Sequence, residues 1–133
     1  MLFTRATEYA LLSLIIIAKE EKPVGTDILS KRLGISRSFL AKILQSLAKQ
    51  NILVSYKGAS GGFKLARPAN QLSIKEITNA AEGKNINIFD CSSDQAACPS
   101  NAGEFCTLWP FLNKLQLKVD NFLEELTLKD IME

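Results

Sequence analysis

Residues 26–67 decide the predicted fold, and they read TDILSKRLGISRSFLAKILQSLAKQNILVSYKGASGGFKLAR. The first part holds two runs of apolar residues at helical spacing, separated by Gly34 and Ile35. Gly34 suits the left-handed end of the first helix, and Ser36 suits the N-cap of a second helix that we expect to reach about Gln50. Two helices joined by a short turn that contains glycine predict a helix-turn-helix.

The apolar positions of these two helices give their expected buried faces. We expect Thr26 to cap the first helix, with Asp27 in the first turn, where the positive end of the helix dipole favours an acid. The expected buried residues are Ile28, Leu29 and Leu33 in the first helix and Phe39, Leu40, Ile43, Leu44 and Leu47 in the second. The opposite face of the second helix is polar and basic, and it carries Arg37, Ser38, Lys42 and Gln45.

The stretch after the second helix predicts a β-hairpin. Residues 52–57 and 63–67 are expected strands, and the GASGG segment at 58–62 between them is rich in residues that tolerate a positive φ. Lys57 and Lys64 lie at the base of this hairpin. A glycine-rich hairpin directly after a helix-turn-helix is typical of the wing of a winged-helix domain, and we call residues 52–67 the wing.

Further helices flank this motif, so the predicted fold class is mainly α with a small β-hairpin wing. An additional helix before the helix-turn-helix begins at Thr4 as N-cap and is apolar nearly all round, as expected of a core element. Ser73 and Glu76 have the spacing of a capping box for another helix, which Gly83 ends.

A long helix is predicted near the C-terminus. It begins at Thr107, tolerates Pro110 in its first turn, and is followed by a short segment at 128–132 capped by Thr127. Its apolar residues are spaced as in a heptad repeat, at Leu108, Leu112, Leu115, Val119, Phe122 and Leu126. This spacing predicts a dimer interface, and the alternative is a helix packed on its own domain.

The charges divide between the two halves of the chain. The 133 residues contain 16 basic and 14 acidic side chains, a net charge of +2. Residues 1–70 hold 11 basic and 4 acidic side chains, and residues 71–133 hold 5 and 10, so the halves carry +7 and −5. This asymmetry favours a basic surface for a polyanion joined to an acidic part with another role. We expect a winged helix-turn-helix at 1–83, a cysteine loop at 84–106, and a dimerisation helix with a terminal segment at 107–133.

The composition excludes several classes of function. The sequence has no histidine, which removes Ser-His-Asp catalysis and histidine-rich metal sites, and no phosphate-binding glycine motif precedes a helix, so we expect no enzyme. The longest apolar run, residues 14–18, is far shorter than the roughly 20 residues of a membrane helix. The N-terminus does not have the pattern of a signal peptide, and we expect a cytoplasmic protein.

Cys91, Cys98 and Cys106 all lie in the cysteine loop, with six and seven residues between them. An odd number of cysteines in a reducing compartment favours a metal site or reactive thiols over a disulfide framework. The following helix N-terminus stabilises an anion such as a thiolate. The gaps are wider than the pairs of a usual zinc site and suit an iron-sulfur cluster. With no histidine present, a carboxylate or solvent is the expected fourth ligand.

Four segments together carry a resemblance to a known family. They are TRATEYA at 4–10, GISRSFL at 34–40, GASGGF at 58–63, and the cysteine loop before a long helix. In this order and at these distances they resemble the IscR and NsrR family of bacterial regulators over nearly the whole chain. The resemblance implies a homodimeric winged-helix transcription factor that binds double-stranded DNA at a palindromic operator. It also implies that the second helix of the helix-turn-helix enters the major groove and that the wing reaches the minor groove.

The resemblance further implies an iron-sulfur cluster held by Cys91, Cys98 and Cys106. Trp109 stands where the IscR branch has a histidine ligand, so the acidic ligand of the NsrR branch, which matches Glu8 and reaches over from the other subunit, is the expected fourth one. Taken without the resemblance, Glu8 is a first-turn acid at a favourable helix end. The cluster type, 2Fe-2S or 4Fe-4S, stays open.

The predicted function is a sequence-specific transcriptional regulator, either a repressor or an activator. Its affinity for DNA is controlled by an iron-sulfur cluster, through which it senses cluster status, nitric oxide or redox state. The expected DNA contacts are Arg5, Arg37, Ser38, Lys42, Gln45, Lys57, Ser60 and Lys64. Two alternatives remain: a cluster-free thiol sensor in which Cys106 pairs with Cys91 or Cys98, and a winged-helix module that binds protein and holds structural zinc.

Overall fold

The computed structural model describes residues 3–97 and 106–132. It is mainly helical with one antiparallel pair of strands, so the predicted fold class is confirmed. The elements are α1 (Arg5–Lys19), α2 (Thr26–Leu33), α3 (Arg37–Lys49), β1 (Leu53–Tyr56), β2 (Gly62–Leu65), α4 (Ile74–Glu82), α5 (Trp109–Glu125) and α6 (Leu128–Ile131), with 3-10 turns at Ala69–Gln71 and Gln95–Ala97. Within the described residues, none of the helices is both long and apolar enough to span a bilayer.

The helix boundaries follow their local capping signals. Thr4 and Ser36 accept hydrogen bonds from main-chain amides of α1 and α3, both at 3.2 Å, and Gly34 ends α2 with a φ of 66°. Thr26 is not a cap: it is the first residue of α2, and Gly25 occupies the N-cap without a side-chain bond. The preceding main chain is extended because Val24 forms a β-bridge, so the helix cannot start until after Gly25.

The wing is docked on the connection between α1 and α2. Leu53 pairs with Leu65 and Tyr56 with Gly62, a shorter hairpin than the sequence predicts. Phe63 exchanges two main-chain hydrogen bonds with Val24, at 2.8 and 3.0 Å. Gly62 makes this approach possible, because its φ is 142° and a Cβ there would lie 2.4 Å from a main-chain carbon of Val24.

The hydrophobic core lies between α1, α3 and α4. Its fully buried large residues include Leu14, Leu29, Leu40, Leu44, Leu47, Ile52, Leu72 and Ile77. The prediction is wrong for two residues: Ile28 is 54% exposed, and Phe39 is 41% exposed and meets the Tyr9 ring edge-on, with 5.8 Å between ring centroids. Each stands directly before a fully buried leucine, and neighbouring positions on a helix point about 100° apart, so only one of each pair faces the core.

The C-terminal helices pack into the same core as the first part of the chain. Helix α5 begins at Trp109, two residues after the predicted start, and Thr127 forms the capping box of α6. A β-bridge joins Ser73 to Thr127, and Leu128 is completely buried. The first and the last of the three predicted segments therefore share one hydrophobic core.

The six predicted heptad residues do not share one surface. Leu112 is buried within the chain, and Val119 and Leu126 pack against the core. Leu108 is exposed, and Phe122 is 60% exposed. The alternative, packing on the chain's own domain, therefore applies to the three inward residues. The 17-residue helix packs on its own core along one side and exposes its other side. Whether the outward residues form a dimer interface stays a prediction.

Candidate functional site

The outer face of α3 presents the predicted polar residues together. Ser38, Lys42 and Gln45 are exposed on it. Arg37, in the first turn, forms an ion pair with Asp27 of α2 at 2.8 Å, and both side chains are largely exposed. An exposed pair of this kind is worth little, so Arg37 can exchange Asp27 for another anion at small cost.

The remaining predicted DNA contacts lie on the wing and at the start of α1. Lys57 and Ser60 are exposed in the wing. Lys64 is half-buried, and its ammonium donates a hydrogen bond to the Glu21 carbonyl at 2.8 Å. Lys64 therefore helps to fasten the wing to the α1–α2 connection, and this contact holds its charge away from the wing tip. Arg5 is exposed and forms an ion pair with Glu8 at 3.2 Å.

Two of the predicted metal ligands lie at the same end of α5. Cys91 is 6% exposed, and the indole Nε1 of Trp109 donates a hydrogen bond to its carbonyl at 2.7 Å. Cys106 is half-buried and stands three residues before Trp109. Both thiols are free. Trp109, in the first turn of α5, thus bonds the main chain of Cys91 and follows Cys106 closely in sequence, while Cys98 lies outside the described residues.

The cysteine loop is tied to α5 by side chains that the sequence analysis missed. Gln116, 2% exposed, accepts hydrogen bonds from the Ile88 amide at 2.8 Å and from the Ser92 hydroxyl at 2.6 Å. Its amide nitrogen donates to the Ile86 carbonyl at 3.0 Å. Asn113 donates to the Ser92 carbonyl at 3.0 Å.

The sequence did contain a signal for Gln116. Leu112, Gln116, Val119 and Leu123 are spaced by four, three and four residues, so the glutamine interrupts an apolar stripe of α5. A polar side chain on a buried stripe needs hydrogen-bond partners, and here it finds them in the loop main chain.

Glu8 lies on the exposed surface of the first turn of α1. In the part of the chain that the structure describes, no three cysteine, aspartate or glutamate side chains gather as a metal site. Cys98 lies outside the described residues and Glu8 is expected from the other subunit, so the ligand set of Glu8 with the three cysteines stays a prediction.

The start of α1 is fixed by Glu82, the last residue of α4. Its carboxylate accepts hydrogen bonds from the hydroxyl of Thr4, from the hydroxyl of Thr7 at 2.8 Å, and from the Thr4 amide at 3.3 Å. Partial burial raises the pKa of Glu82, but these hydrogen bonds and the nearby charge of Lys84 outweigh burial and lower the pKa below its ordinary value. Glu82 thus joins the end of the DNA-binding part to the turn that carries Glu8.

Comparison with known proteins identifies the family. The family model named Rrf2, described as an iron-dependent transcriptional regulator, matches residues 3–133. The chain belongs to the Rrf2 family. A Haemophilus influenzae protein named "Putative HTH-type transcriptional regulator" is 30% identical over 134 residues, which cover 99% of this chain and 87% of that protein.

Solved structures share the Rrf2 fold. CymR of B. subtilis, described as the global cysteine regulator, gives a TM-score of 0.73 at 20% identity, over 99% of this chain and 96% of that chain. T. potens IscR gives 0.75 at 20% identity, over 99% of this chain and 86% of that one. The winged-helix fold and the resemblance to the family of IscR are confirmed. As an Rrf2 protein of this fold, the chain is a DNA-binding transcriptional regulator.

Proposed function

We propose that this Rrf2 protein binds a palindromic operator as a homodimer and that an iron-sulfur cluster controls its affinity for DNA. The observation that carries the DNA-binding part is the outer face of α3, where Ser38, Lys42 and Gln45 are exposed next to Arg37 in the half of the chain with a charge of +7. A basic helix face of this kind suits the major groove.

The exposed side chains divide by the contacts that their lengths and donors allow. Arg37, Ser38 and Gln45 have the donors and acceptors that read base edges, and Lys42 suits either a base edge or a phosphate. The residues that suit phosphate contacts are Arg5, Lys57, Ser60 and Lys64. Lys64 can make such a contact only if its ammonium breaks its hydrogen bond to the Glu21 carbonyl.

The homodimer is supported by apolar side chains that α5 leaves exposed. Leu108, Phe111 and Phe122 are exposed, and Leu115 between them is half-buried. Their spacing of three, four and seven residues follows a heptad seam along the outer side of α5. In this proposal the two α3 helices of the dimer contact half-sites about one DNA turn, roughly 34 Å, apart.

The cluster is supported by the positions of two thiols. The Cys91 carbonyl is bonded to Trp109 in the first turn of α5, Cys106 stands three residues before Trp109, and thiolates are the ligands that iron-sulfur clusters prefer. In this proposal Cys98 is the third ligand, and Glu8 of the partner subunit is the fourth. A bound cluster supplies a group that reacts with nitric oxide and oxidants. The cysteine loop stands between the DNA-binding part and α5, so the state of the cluster would bias the separation of the two α3 helices.

The control by a cluster is tested on one anaerobic preparation of the full chain. An operator is first selected from a random-sequence duplex library, and its affinity is then measured at fixed salt for the cluster-bound and cluster-free protein. We expect stoichiometric iron and sulfide, a dimer by native mass spectrometry, and different affinities for the two forms. Equal affinities would contradict control by the cluster.

The fourth ligand has a separate test. Glu8→Ala should shorten the lifetime of the cluster and leave the dimer and the melting temperature intact, because Glu8 is exposed and its pair with Arg5 is weak. An unchanged visible spectrum and lifetime would assign the fourth position to solvent or to another group.

A cluster-free thiol sensor is the second candidate, and the two free thiols at one end of α5 favour it. An anaerobic protein that is colourless, and whose DNA affinity changes on formation of a disulfide involving Cys106, would support this candidate. Zinc without iron in the same preparation would instead support a structural zinc site in the cysteine loop.

A further inference from the structure

We propose that Gln116 is a positioning residue that holds Cys91 in place for the cluster and couples it to α5. The inference deepens the proposed function and rests on it where the cluster is concerned. Leu123 on the same helix is buried in the hydrophobic core, whereas Gln116 is buried against the main chain of the cysteine loop.

The side-chain amide of Gln116 is fully used. Its oxygen accepts from the Ile88 amide and the Ser92 hydroxyl, and its nitrogen donates to the Ile86 carbonyl and, at 2.9 Å, to the Asp120 carboxylate. A glutamine amide can give two hydrogen bonds and accept two, and all four are made. Asp120 thereby fixes which end of the amide faces which loop atom, because a carboxylate accepts only from the nitrogen.

These bonds reach the residue next to the thiol. Gln116 binds the hydroxyl of Ser92, Asn113 binds the carbonyl of Ser92, and Trp109 binds the carbonyl of Cys91. The three side chains lie at intervals of four and three residues on one face of α5, so a rigid helix sets the position of two consecutive loop residues.

This arrangement has two consequences for Cys91. The thiol is kept buried and in a fixed place before any iron arrives, which lowers the entropy cost of assembling a cluster. Any displacement of Cys91 on cluster loss must also pull on α5, whose outer side carries the exposed Phe111 and Phe122. Gln116 thus acts on the cluster through Cys91, without touching it.

The test measures alkylation of Cys91 in the full-length apo protein under anaerobic conditions. Iodoacetamide labelling is followed by peptide mass spectrometry, and the rate at Cys106 serves as the internal reference. Gln116→Ala should raise the Cys91 to Cys106 rate ratio about fivefold or more, because losing these buried hydrogen bonds eases local opening of the loop. In the reconstituted protein, the same variant should lose its cluster faster to an iron chelator.

Three further variants sharpen the result. Trp109→Phe removes the bond to the Cys91 carbonyl and keeps an aromatic ring. Ser92→Ala removes one bond to Gln116 together with the contacts of the same hydroxyl to the Phe89 main chain. Each variant leaves most of the bonds of Gln116 in place and should raise the ratio by less. Asn121→Ala changes an exposed amide on the same helix and should leave the ratio at the wild-type value. If Gln116→Ala does not fold, the Cys91 to Cys106 rate ratios of Trp109→Phe and Ser92→Ala provide the test instead.

An unchanged rate ratio in folded variants would overturn the proposal, even if their melting temperatures fall, since a merely structural glutamine would lower stability without exposing Cys91 selectively. A raised ratio in a protein that never holds iron would keep the role of Gln116 and remove the cluster from the proposed function.

Discussion

Helices α3 and α5 each carry a polar patch, and the side chains of the two patches bind in different directions. On α3, Lys42 and Gln45 point outward and are exposed. On α5, the polar groups of Asn113 and Gln116 turn toward the chain itself and bind the main chain of the cysteine loop. A polar helix face can therefore either stay exposed to a binding partner or bind a loop of the same chain. The face of α5 binds the loop because the loop main chain has amide and carbonyl groups that need hydrogen-bond partners.

The two regions also differ in how their charges are placed. The first 70 residues carry +7 and include α3 and the wing, whereas the rest carries −5 and includes α5. Yet both regions share one hydrophobic core, to which Leu123 and Leu128 contribute from the C-terminal end. We therefore expect the two regions to have separate chemical roles but to unfold together.

The largest expected effect tests this shared core. Leu128→Ala removes a completely buried side chain where α6 packs on the DNA-binding part, and it should cost about 2–5 kcal/mol of unfolding free energy. Leu117→Ala, at an exposed position of α5, is the matched control and should change stability little. Urea titrations followed by circular dichroism and by the fluorescence of Trp109 should coincide in one transition. Two separate transitions would show that the regions fold independently.

The next effect concerns the docking of the wing. Gly62→Ala places a Cβ against the main chain of Val24 at a φ of 142°, and backbone strain alone should cost about 1–3 kcal/mol. Gly25→Ala is the control, because its Cβ would meet nothing within 4 Å and its φ is −78°. The measurement is the urea midpoint together with DNA affinity. Equal loss of affinity in both variants would argue against the Val24 contact as the reason for glycine at position 62.

Much of the fold could be predicted because its signals are local. Ser36 and Thr127 cap the helices that they precede, and Gly34 ends α2, since capping depends on atoms within one turn of the chain. Ile28 and Phe39 were misplaced because periodicity defines a broad apolar stripe, whereas the neighbouring helices decide which part of that stripe is covered.

The candidate site was less predictable because part of it depends on contacts between residues that are far apart in the sequence. The basic face of α3 is encoded by residues four or fewer apart, so the sequence identified it. The contacts of Gln116 join residues 24 to 30 positions apart along the chain, and no short-range pattern encodes their partners. The heptad spacing on α5 had the same weakness, because Leu112 and Phe122 fit one repeat but lie on different surfaces.

A smaller effect separates the two helices by their response to salt. Lys42→Ala should lower the slope of log affinity against log salt concentration by about one, as expected when one phosphate contact is lost. Lys118→Ala removes an equally charged and exposed side chain from α5 and should leave the slope unchanged. Fluorescence anisotropy titrations at several salt concentrations measure both. The same slope for Lys42→Ala and the wild type would remove Lys42 from the phosphate-contacting surface.

The smallest expected effect lies where the two regions meet, at Glu82. Its pKa is lowered in the folded protein, because the hydrogen bonds of Thr4 and Thr7 and the charge of Lys84 outweigh burial. A carboxyl with a lower pKa in the folded than in the unfolded chain adds stability above its unfolded value, here 4.5, and this stability is lost as the pH falls through the folded value.

Glu82→Gln should therefore lower the urea midpoint at about pH 7, and its difference from the wild type should shrink as the pH falls below the ordinary glutamate value. Glu125→Gln, at an exposed position of α5, is the control for removing one negative charge. The effect is small because Glu82 is only partly buried and water screens its charge. A difference that persists unchanged into acid would mean that Glu82 stabilises the start of α1 by packing, whereas a difference that shrinks assigns the stabilisation to the ionised carboxylate that holds the turn carrying Glu8.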